Sequence, residues 1–141
     1  MDKVSSHKHL GIVLSKDLSW SNHIQSIVQS ISPLVDILKK LKYDLDRKTL
    51  EKTYLSFIRP KMEYGCHIWD NCSRGDSDIL EDVQLDMARI VTGARRGTSH
   101  ELLYSDTSWQ TLAQRRDLLK FKNFLKIVNN EAPPYTASKH Y

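Results

Sequence analysis

Carboxylates, thiols, imidazoles and paired guanidiniums are the groups in this chain that could carry chemistry, and their spacing decides which. Three acidic pairs stand close together: Asp44 with Asp46, Asp76 with Asp78, and Glu81 with Asp82. Clustered carboxylates can hold the two metal ions of a polymerase or nuclease. Each pair falls in a stretch that reads as a turn or a helix start, where acids cap backbone N–H groups and complement the helix dipole. Capping is the role we expect for them. Cys66, His67, Cys72 and His100 supply zinc-ligand types, but neither Cys-x-x-Cys nor His-x-x-x-His spacing occurs. A buried thiol and loop histidines are expected, with no metal and no other cofactor. A Cys66–Cys72 disulfide would close only a short loop, and two cysteines fit a compartment that keeps thiols reduced.

The cations are more suggestive. From Arg89 to Lys126 they are Arg89, Arg95, Arg96, Arg115, Arg116, Lys120, Lys122 and Lys126, opposed only by Glu101, Asp106 and Asp117. The whole chain carries a net charge of +4 and a pI near 9.1. Such a skew suits a polyanion, although a solvated helix face accounts for it equally well. Arginine presents a fork of donors that matches phosphate oxygens. Arg89, Arg95, Arg96, Arg115, Arg116 and Lys120 are therefore the candidate nucleic-acid contacts. Trp20, Tyr54, Tyr64, Trp69 and Trp109 could stack on bases, but each lies at or beside an apolar stripe and is expected in the core.

The elements that must position these groups are mostly helical. Leu10, Ile12 and Leu14 alternate with His9, Gly11 and Val13, the pattern of a half-buried strand. From Ser21, capped by Ser21 or Asn22, apolar residues recur at three- and four-residue steps: Ile24, Ile27, Val28, Ile31, Leu34, Val35, Leu38 and Leu41. Pro33 should kink or split that helix. Asp46 should cap a second helix bearing Leu50, Tyr54, Phe57 and Ile58, which Pro60 kinks or ends. The segment 63–78, rich in turn formers after Trp69, reads as a loop.

A third helix is expected from Ser77 or Asp78, with Leu80, Val83, Met87, Ile90 and Val91 inward and Gly93 terminating it. Thr98 and Glu101 have capping-box spacing ahead of a short helix. Ser108 should cap a long final one with Trp109, Leu112, Leu119, Ile127 and Val128 as core contacts, stopped by Pro133 and Pro134. The fold class is mainly α: a bundle of about five helices with one short N-terminal strand or hairpin. A lone strand in a helical chain breaks the usual layer rules and points to a fragment.

Composition sets the broad class. The chain has 141 residues, 40% hydrophobic and 27% charged, enough for one domain or two small ones. No apolar run approaches the roughly 20 residues that span a bilayer, and no secretion signal is evident. A nuclear or cytoplasmic location is expected, with no membrane partner.

"HKHLGIVLSKDLSWSNHI" resembles the end of the polymerase domain in non-LTR, jockey-like (LINE-type) retrotransposon reverse transcriptases, through Lys8, Leu10, Gly11, Trp20, His23 and Ile24. "SFIRPKMEYGCHIW" is similar to a further stretch of that family at Ile58, Arg59, Pro60, Glu63, Tyr64, Gly65 and Trp69. The likeness continues at Leu80, Glu81, Gln84, Arg89, Ile90 and Gly93, and through "LAQRRDLLKFKNFLKIVNNEAPPY". It runs from about His7 to Tyr135. No one motif is specific; their shared order and spacing are.

The resemblance implies that residues 1–20 are the end of a palm, 21–70 thumb-like helices and 71–135 a C-terminal connection, with 136–141 a disordered tail. It implies that the catalytic aspartates and their magnesium belong to sequence upstream, so that this chain alone is not an enzyme. Its expected partner is an RNA/DNA or DNA duplex held by non-specific backbone contacts. A polymerase palm in the intact parent, or a second copy through the orphaned palm-facing surface, is the other partner expected. The alternative is a helical protein-interaction module, or a relic of a mobile element without function.

Overall fold

The computed structural model describes residues 6–129. Strands β1 (Ser6–His9) and β2 (Ile12–Ser15) form an antiparallel hairpin in which His9 faces Ile12 and Ser6 faces Ser15. The expected strand through Leu10 is thus interrupted. Leu10 and Gly11 make the turn at φ 49° and 82°, the left-handed pair that a two-residue hairpin loop demands. The partner edge comes from the residues just before the turn. Ile12 and Ser15 face inward, while Leu14 and Leu10 are exposed.

Helix α1 (Ser21–Leu41) is continuous. Pro33 lies inside it, so of the two expected outcomes, a kink or a split, the split does not occur. Immediately before the proline, the Ser32 hydroxyl donates to the Val28 carbonyl at 2.9 Å. Trp20, not Ser21 or Asn22, occupies the cap position. Ser21 instead donates to Asp76 at 3.0 Å, and Asn22 to the Ser15 hydroxyl at 3.0 Å, tying the helix start to its neighbours.

Asp46 does stand at the N-cap of α2 (Arg47–Thr53). A π turn (Tyr54–Ile58) and then α3 (Arg59–Glu63) follow without a break. The Arg59 N–H reaches back five residues to the Tyr54 carbonyl. That wider turn restarts the helix, so Pro60 sits in a first turn, where its missing donor costs little.

The segment expected as a loop contains α4 (Cys66–Trp69), entered through a left-handed Gly65. Its Trp69 is fully buried and donates to the Tyr64 carbonyl at 3.0 Å. Helix α5 (Arg74–Thr92) begins before Ser77, because the Ser73 hydroxyl caps it by accepting from Asp76 N. Gly93 ends it at φ 70°, as expected. Helix α6 (His100–Thr107) is capped by Ser99 rather than Thr98.

Ser108 proves to be the left-handed C-cap of α6. The N-cap of α7 (Leu112–Val128) is Thr111, which closes a reciprocal capping box with Gln114. The Pro133–Pro134 stop and the 136–141 tail lie outside the described residues.

The architecture is mainly α with a short N-terminal hairpin. One apolar cluster joins Ile12 of β2, the inward stripe of α1, Tyr54, Met62, Trp69, the α5 stripe and Leu112. Leu85, Ala88 and Leu103 form a smaller cluster between α5 and α6. Five expected core positions are on the surface instead: Leu41, Phe57, Tyr64, Ile127 and Val128. Among the described residues no helix is long and apolar enough to cross a membrane.

Candidate nucleic-acid interface

The six candidate cations fall into two groups with different work to do. Arg115, Arg116 and Lys120 lie along α7 and turn toward the body of the protein. Arg115 makes two parallel bonds to Glu63, Nε to Oε2 at 2.8 Å and Nη2 to Oε1 at 2.9 Å. Arg116 is buried, donates to Asp70 at 3.3 Å and to the Ser77 hydroxyl at 2.7 Å, and lies over the Trp69 ring. Lys120 donates to the other oxygen of Asp70. These three fasten α7 to α3, α4 and α5.

The same helix is held at its start by Glu81. That carboxylate accepts from Leu112 N at 3.0 Å and from the Tyr104 hydroxyl. An acid at the first N–H of a helix satisfies an orphan donor and complements the dipole. Burial nevertheless pushes the Glu81 carboxyl above its ordinary pKa, against the pull of the Leu112 N–H. Glu81 thus caps a helix as expected of the acidic pairs, but from the interior of α5 and onto the start of α7, not at the turn or helix start expected for it.

Arg89, Arg95 and Arg96 are brought together at the opposite end, where the last turn of α5 meets the last turn of α1. Gly93 ends α5 in a left-handed turn, and the chain then presents Arg95 and Arg96 to solvent. The α1 end contributes Lys39 and Lys42. One concavity of about 280 Å³ is lined by Lys39, Lys42, Asp86, Arg89 and Arg96, and an adjoining one of about 330 Å³ by Lys42, Tyr43, Arg89 and Arg95.

Arg89 donates to Asp86 at 3.0 Å, while its buried Nε has no hydrogen-bond partner. Among the described residues, no carboxylate lies within ion-pair distance of Lys39, Lys42, Arg95 or Arg96. Part of this charge serves the protein itself, since each helix C-terminus carries roughly half a negative charge. Five cations facing Asp86 and two such ends still leave about three positive charges.

Lys39, Lys42 and Tyr43 escaped the sequence reading. Their signal, a "KKLKY" run at a helix end, becomes informative only once α1 and α5 are seen to finish side by side.

The five aromatics considered for stacking are committed elsewhere. Tyr54 and Trp69 are fully buried. Trp109 packs on Tyr54 at 4.8 Å and donates to Glu51 at 2.9 Å, and Trp20 donates to Asn71 at 2.9 Å. Tyr64 donates to the Leu10 carbonyl at 2.8 Å, bracing the hairpin turn. Of the zinc-ligand types, Cys66 is buried and Cys72 half-buried, both as free thiols whose pKa burial raises. Among the described residues, no three of His, Cys, Asp or Glu gather around a common point.

No family model matches this sequence, and no solved structure matches it. Over 110 residues, 74% of this chain, it is 24% identical to a probable RNA-directed DNA polymerase from transposon X-element of Drosophila melanogaster. The chain covers 12% of that relative's length. It is therefore similar to a limited region of a transposon-encoded reverse transcriptase.

Proposed function

We propose that this chain is the thumb and C-terminal connection of a non-LTR, jockey-like retrotransposon reverse transcriptase, and that it grips the template-primer backbone. On this reading residues 21–70 are thumb-like and 71–135 form the connection. Nucleotide transfer and its magnesium belong to an upstream palm. The observation that carries the proposal is the basic concavity at the joined ends of α1 and α5, with Lys39, Lys42, Arg89, Arg95 and Arg96 facing one carboxylate, Asp86. Lysine and arginine so placed bind phosphates without reading bases, and their affinity falls with salt as counterions are released. Arg115, Arg116 and Lys120 position α7 and leave the phosphates to the other three arginines and the two lysines.

Titrating a labelled RNA/DNA hybrid duplex at two salt concentrations tests this. Dissociation constants of about 10⁻⁴ to 10⁻⁶ M are expected at physiological salt, tightening as salt is lowered. Binding that ignores salt, or no binding at low salt, overturns the proposal.

A second reading, a helical protein-interaction module, is favoured by one feature. The last two turns of α7 expose Phe121, Phe124, Ile127 and Val128. Clustered apolar exposure of this kind is characteristic of contact surfaces. A clean monomer by light scattering at high concentration would argue against self-association through that face.

A further inference from the structure

We infer that Tyr43 is a stacking platform for an unpaired base, so that the basic concavity takes a single-stranded RNA or DNA overhang. The inference rests on the reading of that concavity as a phosphate site. Tyr43 follows the end of α1 and is 87% exposed. Lone exposed aromatics are common and need no explanation. This one lines the same concavity as Arg89 and Arg95, and the Lys42 ammonium stands 5.0 Å from its ring centre. A cation over an aromatic ring holds that ring in place through the quadrupole. The combination is a π-surface fixed beside a row of phosphate-binding cations, the two parts of a single-strand site.

Geometry separates the strand types. In a duplex both faces of every internal base are covered by neighbouring bases, so a ring standing outside the helix has nothing to stack on. An unpaired base offers a free face, and its own phosphate reaches the cations beside the ring. The cleft at Tyr43, about 330 Å³, is at the small end of ligand-sized clefts and suits one nucleotide of a strand. Stacking of this kind accepts any base, because each has a π-face.

Three labelled probes decide the matter: a blunt RNA/DNA hybrid, the same hybrid with a short single-stranded overhang, and that overhang made abasic. The full chain should prefer the base-bearing overhang over the other two by about tenfold, the lower range of one stacked base. Tyr43→Ala should abolish the preference, while Tyr43→Phe should retain it. Because Tyr43 is exposed, Tyr43→Ala should keep the wild-type circular dichroism. The Arg95→Glu/Arg96→Glu pair should weaken all three probes together. No preference in the wild type, or a preference that survives Tyr43→Ala, overturns the inference while leaving the phosphate site standing. Blunt binding that survives the double charge reversal removes the phosphate site, and the inference with it.

Discussion

Arg116 donates from Nε to the Asp70 carboxylate at 3.3 Å, joining α7 to the residue that closes α4 across 46 positions of sequence. The pair is largely enclosed, with the Arg116 side chain 5% exposed and that of Asp70 23%. Its guanidinium also covers the Trp69 ring at 5.6 Å, so charge, hydrogen bonding and packing coincide at one side chain.

Truncating Arg116 should therefore act on stability and not on nucleic-acid affinity. Arg116→Ala leaves Asp70 to Lys120 alone, removes the donor to the Ser77 hydroxyl and uncovers an indole, and a loss of about 2 kcal/mol is expected. Urea unfolding read by tryptophan fluorescence measures it. Hybrid-duplex affinity of the folded fraction should match the wild type within about twofold, because the proposed phosphate cations lie at the far ends of α1 and α5.

Gly65 and Gly93 both have positive φ, yet alanine should be tolerated at only one of them. A Cβ at Gly65 would stand 2.7 Å from Ile12 Cδ1, whereas at Gly93 it would meet nothing within 4 Å. Gly65→Ala combines left-handed strain with a clash against a buried side chain, about 2 kcal/mol or more. Gly93→Ala incurs the strain alone, partly offset by a less flexible unfolded chain, for about 1 kcal/mol or less. Denaturation midpoints of the two variants should rank in that order.

The core Gln84 should behave as a hub. The Tyr54 hydroxyl donates to its Oε1 at 2.7 Å, and its Nε2 donates to the Gln110 carbonyl at 3.0 Å and the Tyr104 hydroxyl at 3.2 Å. Burial pushes the Tyr54 phenol far above its ordinary pKa, so it stays a neutral donor. Gln84→Leu keeps the volume but strands those partners, for an expected loss of about 2 kcal/mol. Tyr54→Phe combined with Gln84→Leu should cost less than the sum of the two, a coupling that a double-mutant cycle reads directly.

What was legible in the sequence follows from the range of the interactions. The stripes Ile24–Leu38 and Leu80–Val91 repeat with the helical period, and both face the core. Gly93 was readable as a stop because a left-handed C-cap favours one residue type. Helix starts were less readable wherever several hydroxyls and acids compete: Ser73 prevailed over Ser77 and Asp78, Ser99 over Thr98, and Thr111 over Ser108. Each of these residues can accept a backbone N–H, so the choice rests on where the chain must turn.

At the candidate site the same division holds. Arg95 and Arg96 stand out as a pair after a helix end. The contribution of Lys39, Lys42 and Tyr43 depends on α1 packing against α5. The burial of Arg116 depends on Asp70, which local pattern cannot reveal.

Acid should destabilise the fold through His23. That ring is 1% exposed, between Trp20 and Trp69 at 6.1 and 5.8 Å, and its Nδ1 accepts from Val13 N at 3.2 Å. The accepting nitrogen carries no proton, so the proton sits on Nε2, which is buried without a partner. Protonating Nδ1 would remove one of the bonds that anchor β2 to α1. It would also put a cation in a cleft whose other charged lining residues are Lys8 and Lys61.

Burial accordingly holds the His23 pKa below its usual value. The unfolded chain titrates near pH 6.5, so below that point it binds a proton that the folded protein refuses. The contribution is complete above about pH 6.5 and declines as pH falls toward the depressed folded value. Urea midpoints measured between pH 7.5 and pH 5, a range that brackets about 6.5, should fall in the wild type. In His23→Gln, already weaker at neutral pH, they should stay nearly level over the same range. A decline of equal steepness in both proteins would place the acid sensitivity elsewhere.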